Sequence, residues 1–385
     1  MGRRTGASLA GLAAVALTLT AAGCGGSKGT DTVVIGFQGP LSGQNSQLGI
    51  NALDGVKTAV SMANSKGNLP FTLRIEEADD QGTPDVGPTA AQQLIDDSDV
   101  LAVVGPVFSG PTKSSEPLYS RAGLLSVSPS ATNPALTTLG FRTFYRVIAP
   151  DTVQGAGAAT FMAKTLRAKK VFSLDDRTEY GVGLSTVLEK QLRTDGVPVV
   201  HDSIIPTKDY SAEATKIISQ SPDAVYYSGY YSEFALLSKA LRGKGYQGTL
   251  LSGDGSNDDQ YISQAGRANA EGTYLTCACG DANANPNAAG FVAEFKRVND
   301  KTRPGTYSGE SFDATNAVIS VLEQLGKNPT RADVAKAFGS VNLQGITKKI
   351  AFQPDGDVAD STVYVYRVEN GQRVVLGTTN SLARP

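Results

Sequence analysis

Short apolar runs along the chain alternate with segments in which apolar residues recur every three to four positions. The runs are typical of buried strands, and the spaced segments are typical of amphipathic helices. Alternating strands and helices predict parallel sheets covered on both faces. Strands are predicted in a first series at 32–37, 71–75, 100–104 and 124–127, with helices at 48–63 and 90–95. A second series has helices at 154–167, 183–192, 212–219 and 233–242 and strands at 170–174, 199–205, 224–227 and 249–251. Two such series predict two α/β lobes.

The end of the chain follows a different pattern. Residues 364–368 and 373–376 form alternating runs on either side of Glu369-Asn370-Gly371-Gln372. Asn-Gly between two such runs is a strong signal for a tight turn, so we expect a β-hairpin here.

The first two dozen residues carry a targeting signal. Arg3 and Arg4 precede a run of small apolar residues, 7–20, which ends in Ala21-Ala22-Gly23-Cys24. This pattern predicts a signal peptide at 1–23, because the apolar run is shorter than the roughly 20 residues that span a bilayer. The cysteine after Ala-Ala-Gly resembles the bacterial lipobox, which implies lipid on Cys24 and a flexible tether over 24–30. The alternative is a plain secreted protein with a chance cysteine.

Composition excludes several classes of function. The 385 residues have a formal net charge of -2, which argues against nucleic acid as a partner. One histidine, His201, rules out a multi-histidine metal site, and we expect it to be a solvated bystander. Three cysteines are too few for a disulfide scaffold or a four-cysteine zinc site. Neither a dinucleotide-binding fingerprint nor a phosphate-binding loop is present, so we expect no catalytic residue, metal or cofactor.

Candidate chemistry lies in loops that follow the predicted strands. Loops at 39–43, 105–110 and 128–133 are rich in glycine and hydroxyl residues and poor in charge, which suits one small anionic group. The second series instead offers Tyr180, Tyr230 and Asp254 at its strand ends. An anion-binding side that faces an aromatic and acidic side would suit a zwitterion.

These loops resemble those of the type I periplasmic solute-binding proteins, specifically the leucine/isoleucine/valine-binding family of ABC importers. The resemblance covers 32–376 and is carried by the order of short motifs, which are Gly36-Phe37-Gln38-Gly39-Pro40-Leu41-Ser42-Gly43, Val104-Gly105-Pro106, Ser128-Pro129-Ser130-Ala131-Thr132, Glu179-Tyr180-Gly181, Val225-Tyr226-Tyr227-Ser228-Gly229-Tyr230 and Gly253-Asp254-Gly255. It implies an α/β fold of two doubly wound parallel-sheet lobes joined by a three-stranded hinge. Lobe 1 would comprise 31–149 and 278–356, and lobe 2 would comprise 150–277 and 357–385.

The resemblance also implies ligand contacts. Ser109 and Thr132 would hold an α-carboxylate through hydroxyl and backbone N–H groups, and the Ser130 carbonyl would face the ammonium. Asp254 would pair with the ammonium, at a position where the family often has Glu. The remaining residues implied to line the site are Ala131, Tyr180, Tyr230, Leu48, Phe108 and Tyr307.

The implied hinge crossings fall near Ala149-Pro150-Asp151, near Cys277 and near Pro354-Asp355-Gly356. With Cys24 lipidated, Cys277 and Cys279 form an even extracytoplasmic pair, which favours a disulfide. In an extended segment their Cα atoms would lie about 6.6 Å apart, at the edge of what a disulfide tolerates. Two free thiols are the alternative.

The predicted function is solute binding without chemistry. The protein would be a monomer held on the outer face of the cell membrane by its lipid alone, would bind a branched-chain or other aliphatic amino acid, and would deliver it to an ABC permease. One alternative is a sensor of the same fold that detects amides or other small polar molecules. A hydrolase on a doubly wound scaffold is a further alternative, although no nucleophile–base pair is visible.

Overall fold

The computed structural model describes residues 31–383, which contain alternating strands and helices. The predicted signal peptide, Cys24 and the tether lie outside these residues. The strands are β1 Asp31–Gly39, β2 Phe71–Asp79, β3 Val100–Val104, β4 Leu125–Ser128, β5 Phe144–Arg146, β6 Val171–Asp175, β7 Val199–Ser203, β8 Ala224–Ser228, β9 Thr249–Ser252, β10 Tyr274–Cys277, β11 Asn342–Gln344, β12 Lys349–Ala351, β13 Tyr364–Glu369 and β14 Gln372–Thr378. The helices are α1 Ser46–Lys66, α2 Gly87–Asp96, α3 Ser109–Ala122, α4 Asp151–Thr160, α5 Glu179–Thr194, α6 Ser211–Ser219, α7 Tyr231–Gly243, α8 Asp259–Ala265, α9 Arg267–Ala270, α10 Ala289–Asn299, α11 Ser308–Leu325, α12 Arg331–Phe338 and α13 Thr379–Leu382.

Two large sheets define two lobes, as predicted. The sheet of lobe 1 is parallel and has the order β2-β1-β3-β4-β5. The sheet of lobe 2 has the order β14-β13-β10-β9-β8-β6-β7. Strands β6 to β10 are parallel, and β13 and β14 are added antiparallel at one edge. The central strands β3 and β8 are buried along their whole length, which explains their continuous apolar sequences.

The strand order places the candidate loops. In each lobe the order reverses beside the first strand, between β1 and β3 in lobe 1 and between β6 and β8 in lobe 2. Ligands of open α/β sheets bind in the crevice at such a switch point, at the carboxyl ends of the strands. The loops that carry Ser109, Tyr180 and Tyr230 follow β3, β6 and β8, so both switch points contribute to the candidate site.

The C-terminal hairpin is confirmed. Strands β13 and β14 pair antiparallel, with Glu369 opposite Gln372. Asn370 and Gly371 form the two-residue turn and both have positive φ, 55° and 76°, which is the backbone that Asn-Gly tolerates best. The hairpin extends the sheet of lobe 2 through the pairing of β13 with β10.

Helices α10, α11 and α12, together with the β11–β12 ribbon, were not predicted from the sequence. Helix α11 is buried along most of its length and packs against α1, and α12 contacts β3, so this segment covers lobe 1. The chain therefore leaves lobe 1 after β5, returns to it after β10, and leaves it again before β13. No helix among residues 31–383 has the length and apolarity needed to cross a bilayer.

Candidate ligand-binding site

The loops after β3 and β4 form the lobe 1 wall of the site. Ser109 is the first residue of α3, and its Oγ accepts a hydrogen bond of 3.3 Å from the backbone N–H of Asn133. The Ser130 hydroxyl donates to the Val107 carbonyl at 2.6 Å. Ser109, Ser130 and Thr132 are all buried. Side chains of one loop thus bond the backbone of the other, which fixes the hydroxyl-rich wall that the sequence predicted.

A buried arginine supports this wall from behind. Arg146, at the end of β5, is fully buried, and its Nη1 donates to the carbonyls of Ala131 at 3.1 Å and Asn133 at 2.8 Å. Its Nε donates to Asp357 Oδ1 at 2.5 Å, which supplies the opposite charge that a buried cation needs. Arg146 therefore orders the loop that carries Thr132. Sequence reasoning missed it because a single arginine after an apolar run has no motif.

Asp254 forms the polar centre of the opposite wall. The loop after β9 carries it, and its Oδ1 accepts from the Tyr180 hydroxyl at 2.7 Å and from Gln154 Nε2 at 2.5 Å. Its Oδ2 accepts from the Tyr307 hydroxyl at 2.7 Å. Tyr180 and Gln154 belong to lobe 2, whereas Tyr307 immediately precedes α11 of lobe 1. The carboxylate therefore joins both walls.

Tyr307 had been expected only to line a side-chain pocket, so its bond to Asp254 is an addition to the predicted site. Gln154, on α4, was also missed. Besides its bond to Asp254, Gln154 Nε2 donates to Asp151 Oδ1 at 3.4 Å. Its Oε1 accepts from the Ala278 backbone N–H at 3.2 Å. One amide side chain thus connects the acidic centre to the second hinge crossing.

Burial controls the charge state of this centre. Burial raises the pKa of Asp254, and hydrogen bonds from Gln154, Tyr307 and Tyr180 lower it only in part. Burial also raises the pKa of Asp151 well above its ordinary range, and the nearby Asp254 adds to the effect. Two carboxyl groups therefore share a water-poor environment in which the charged form is disfavoured.

Aromatic rings of the two lobes contact each other in the cleft. The Phe108 and Tyr230 rings have centroids 4.3 Å apart, and the Tyr180 and Tyr230 rings have centroids 5.2 Å apart. Phe108 belongs to lobe 1 and Tyr230 to lobe 2, so an aromatic contact bridges the cleft. Leu48, on α1, is fully buried in the same hydrophobic cluster as Phe108 and Tyr307.

Polar contacts also join the lobes at one rim of the cleft. Asn45, just before α1, accepts through Oδ1 from the Ser232 hydroxyl at 2.6 Å and from the Ser232 backbone N–H at 3.4 Å. Its Nδ2 donates to Glu233 at 3.3 Å, and the Tyr231 hydroxyl donates to the Gln44 carbonyl at 3.1 Å. These contacts connect the start of α1 to the first turn of α7.

A second set of contacts between the lobes joins the loop after β4 and helix α3 to the start of α5. Asn133 Nδ2 donates to the Glu179 carbonyl at 2.5 Å, and the Glu179 carboxylate pairs with Lys113 at 2.9 Å. The structure therefore shows the two lobes in contact at two places.

The cysteine pair lies at the second crossing. Cys277 ends β10, and the Cα atoms of Cys277 and Cys279 are 4.9 Å apart, with their sulfurs in bonding contact. The extended spacing of about 6.6 Å was therefore wrong, because the segment bends directly after β10. A separation of 4.9 Å lies within the range of a disulfide. The oxidised state of the protein itself stays a prediction.

His201 lies outside this site and is exposed, as expected, and it has polar neighbours in lobe 2. It stands on β7, where its Nδ1 contacts the Glu189 carboxylate and its Nε2 lies 3.3 Å from Asp175 Oδ2 and 3.1 Å from Ser203 Oγ. The sequence could not show these partners because they come from β6 and α5.

All ten residues predicted to line the site are buried, and their grouping around one ligand and their individual roles stay predictions. These residues are Leu48, Phe108, Ser109, Ser130, Ala131, Thr132, Tyr180, Tyr230, Asp254 and Tyr307.

Comparisons with known proteins point to one family. The sequence pattern of the periplasmic binding protein family matches residues 32–373. A Leu/Ile/Val-binding protein homolog of Brucella melitensis is 31% identical over 348 residues, which cover 89% of this chain and 93% of the relative. A leucine-, isoleucine-, valine-, threonine- and alanine-binding protein of Pseudomonas aeruginosa is 27% identical, with 88% and 91% of the two chains covered.

Among solved structures, a leucine-binding protein of Thermotoga maritima is 28% identical and superposes with a TM-score of 0.81. The match covers 90% of this chain and 98% of that protein. The family pattern spans both lobes and all the loops described above, and the solved relative has the same fold. The chain therefore belongs to the periplasmic binding protein family, in the group of branched-chain amino acid binding proteins that serve ABC transporters.

Proposed function

We propose that this protein binds a small aliphatic amino acid in the cleft between its lobes and delivers it, chemically unchanged, to an ABC importer. One observation carries the proposal. The buried carboxylate of Asp254 lies in one wall, and the hydroxyl-rich loops with Ser109 and Thr132 form the other. A ligand with an ammonium group at one end and a carboxylate at the other meets complementary groups on both sides.

The energetics are adequate for such a ligand. Burying a zwitterion without partners is prohibitive, but each charge-assisted hydrogen bond contributes roughly 1.5–3 kcal/mol. Four or five such bonds, less the cost of ordering the ligand and the lobes, reach the roughly -8 kcal/mol of micromolar binding. Contact between the lobes excludes water, which strengthens each bond.

The aliphatic preference follows from the apolar lining. Leu48, Phe108 and Tyr230 supply apolar side-chain surface, and none of the ten predicted ligand residues is basic. Two relatives support this class, since one is named a Leu/Ile/Val-binding protein homolog and the other a leucine-binding protein. A branched aliphatic side chain would bury apolar area at roughly 25 cal/mol per Å².

We further propose that Cys24 is lipidated and holds the protein on the outer face of the membrane. The support is the sequence of residues 1–23 and the cysteine that follows. Expression of Cys24→Ser should release the protein into the soluble fraction, whereas the unsubstituted protein should stay with membranes. Equal partition of the two proteins would refute the anchor.

A thermal-shift screen across amino acids, amides and small organic acids tests the binding function. A ligand that binds the native state raises its apparent stability by mass action, so the melting temperature should rise with aliphatic amino acids. Shifts with uncharged amides and none with amino acids would instead favour the sensor. No shift with any amino acid would contradict the proposal.

A further inference from the structure

The side chain of Arg373 is nearly buried on an edge strand where its neighbours are exposed. Arg373 lies on β14 of the C-terminal hairpin, and Gln372 and Val374 on either side of it are exposed. The side chain of Arg373 is only 9% exposed. Burying a guanidinium costs free energy unless its donors are paired, so its partners indicate what the arginine does at this position.

The partners of Arg373 belong to both lobes. In lobe 2, its Nε donates to Asp259 Oδ1 at 2.9 Å, and its Nη1 donates to the Asn257 carbonyl at 2.6 Å and to Asn257 Oδ1 at 3.1 Å. In the segment that precedes α11 of lobe 1, the Thr306 hydroxyl accepts from Nη1 at 2.9 Å. The Thr306 hydroxyl in turn donates to the Asn257 carbonyl. Arg373 therefore holds residues of lobe 1 and lobe 2 against each other.

Both Asn257 and Thr306 lie next to groups of the candidate site. The backbone N–H of Asn257 donates to the Asp254 carbonyl at 3.0 Å, so Asn257 closes the turn that carries Asp254. Thr306 immediately precedes Tyr307, whose hydroxyl donates to Asp254 Oδ2 at 2.7 Å. Arg373 therefore contacts the two segments that the Tyr307–Asp254 hydrogen bond joins.

The backbone of Tyr307 needs support from its surroundings. Its φ is 70°, in the left-handed region that residues other than glycine rarely adopt. Such a conformation costs free energy and persists only where the surrounding contacts fix it. On one side, Arg373 fixes Thr306. On the other, the Ser308 hydroxyl donates to the Asn51 carbonyl at 2.8 Å, so Tyr307 is held between two fixed neighbours.

Acidic groups of the loop after β9 surround the guanidinium. Burial raises the pKa of Asp258, and the Arg373 charge lowers it in part. Burial also acts to raise the pKa of Asp259, but the charge and the hydrogen bond of Arg373 bring it below its ordinary value. Asp258 Oδ2 accepts from Asn51 Nδ2 on α1 at 2.9 Å. The loop that Arg373 neutralises thus makes a second contact with lobe 1.

Resting on the proposed function, we propose that Arg373 is a positioning residue of the ligand site, which acts through Thr306 to hold Tyr307 against Asp254 and so slows release of the amino acid. The C-terminal hairpin is then part of the binding machinery as well as an extension of the lobe 2 sheet. A contact that joins the lobes stabilises the closed form, so its loss accelerates dissociation more than it slows association.

Stopped-flow kinetics of Arg373→Met measure this effect, with L-leucine as the probe. Methionine keeps an unbranched apolar stem but has no donors, so dissociation should be about tenfold faster, while association should change by less than about threefold. Arg367→Met is the matched control, because Arg367 lies on the same hairpin but contacts Glu369 and the Tyr274 ring within lobe 2. This control should release L-leucine at the unsubstituted rate.

Double variants separate a positioning role from a general loss of stability. Thr306→Val should itself accelerate dissociation, whereas Thr306→Ser keeps the hydroxyl and should rescue the rate. Adding Arg373→Met to Thr306→Val, or to Tyr307→Phe, should raise the rate by less than about threefold, because the series of contacts is already broken. A residue that only stabilises lobe 2 would instead change the rate by the same factor in every background.

The outcomes distinguish this inference from the proposed function. An unchanged dissociation rate in Arg373→Met, or the same factor in single and double variants, would overturn the inference and leave amino-acid binding intact. If Arg373→Met fails to fold, Thr306→Val gives the answer alone, since faster dissociation supports the inference and an unchanged rate overturns it. An unsubstituted protein that binds neither L-leucine nor any other amino acid would overturn both proposals.

Discussion

The hydrogen bonds of single side chains around Asp254 determine what the cleft can accept. The carboxylate is buried, yet three donors from both lobes satisfy it. A buried acid with this many donors is kept in one orientation, which is what recognition of a single ammonium group requires. The three hydrogen bonds thus offset part of the cost of burying Asp254 and fix the direction in which it can contact a ligand.

Asp254→Ala should weaken amino-acid binding more than tenfold, because it removes a charge-assisted contact worth roughly 1.5–3 kcal/mol. Calorimetry measures the change. Asp209→Ala is the control, since Asp209 is an exposed acid of the same lobe that accepts only from Ser211, the first residue of α6. Unchanged affinity in Asp254→Ala would refute the ammonium contact.

Ser109→Ala should weaken ligands that carry a carboxylate about tenfold and should affect ligands without one far less. The reason is that the Ser109 hydroxyl lies in the wall proposed to bind the carboxylate. Ser114→Ala, on the same helix, removes a hydroxyl that bonds only Pro111 and serves as the control. Equal losses for both kinds of ligand would count against the carboxylate assignment.

At the scale of elements, lobe 1 completes the end of a helix in lobe 2. Asn45 stands at the N-cap of α1 but makes no capping bond there, and α7 has no side-chain cap of its own. Instead, Asn45 accepts the Ser232 N–H in the first turn of α7. The helix that follows Tyr230 is therefore capped from the other lobe, so contact between the lobes stabilises it.

Asn45→Ala should weaken ligand binding about 5- to 30-fold, because it removes three hydrogen bonds from the closed form that together contribute roughly 1–2 kcal/mol. The loss should appear mainly as faster dissociation in stopped-flow or surface-binding kinetics. Asn64→Ala is the matched control on the same helix, since Asn64 bonds Leu73 within lobe 1. An equal loss of affinity in Asn45→Ala and Asn64→Ala would show that the Asn45 contact between the lobes does not stabilise the closed form.

The sequence predicted elements best where a local pattern decides them. The buried run of β3 and the Asn370-Gly371 turn were predicted because burial on both faces and positive φ leave few alternatives. The α10–α12 segment was missed because its helices are fixed by packing on α1 and β3, which only the folded chain reveals. Arg146 and Gln154 were missed for the same reason, since their partners lie on other elements.

The family resemblance, rather than periodicity, indicated the candidate site. It named ten residues, but it did not show that Tyr307 bonds Asp254 or that His201 contacts acidic side chains of β6 and α5. The bend after β10 was also hidden, because two cysteines with one residue between them fit an extended or a bent segment equally well. Side-chain partners across the chain depend on three-dimensional packing.

The whole molecule contains several buried acids whose pKa is raised by burial. The pKa of Glu116 is about 8, and that of Asp80, Asp176 and Glu310 is about 7. Each folded-state pKa lies above the unfolded value, so each group favours the fold when protonated. That contribution is complete below about pH 4 and is lost as the pH rises through 7 to 8.

The melting temperature of the unliganded protein should therefore fall as the pH is raised from 6 to 9. Glu116→Gln cannot ionise and should lose less stability over this interval than the unsubstituted protein. Calorimetric melting at each pH measures both curves. Parallel curves for the two proteins would show that Glu116 does not hold its proton in the fold.

The central claim is that one cleft satisfies both charged ends of a dipolar guest at once. Titration calorimetry with L-leucine, 4-methylpentanoate and 3-methylbutylamine tests it most directly, because the two analogues each lack one charged group. We expect micromolar affinity for L-leucine and at least a hundredfold weaker affinity for each analogue, since each leaves one wall unpaired. An analogue that binds as tightly as L-leucine would contradict the account.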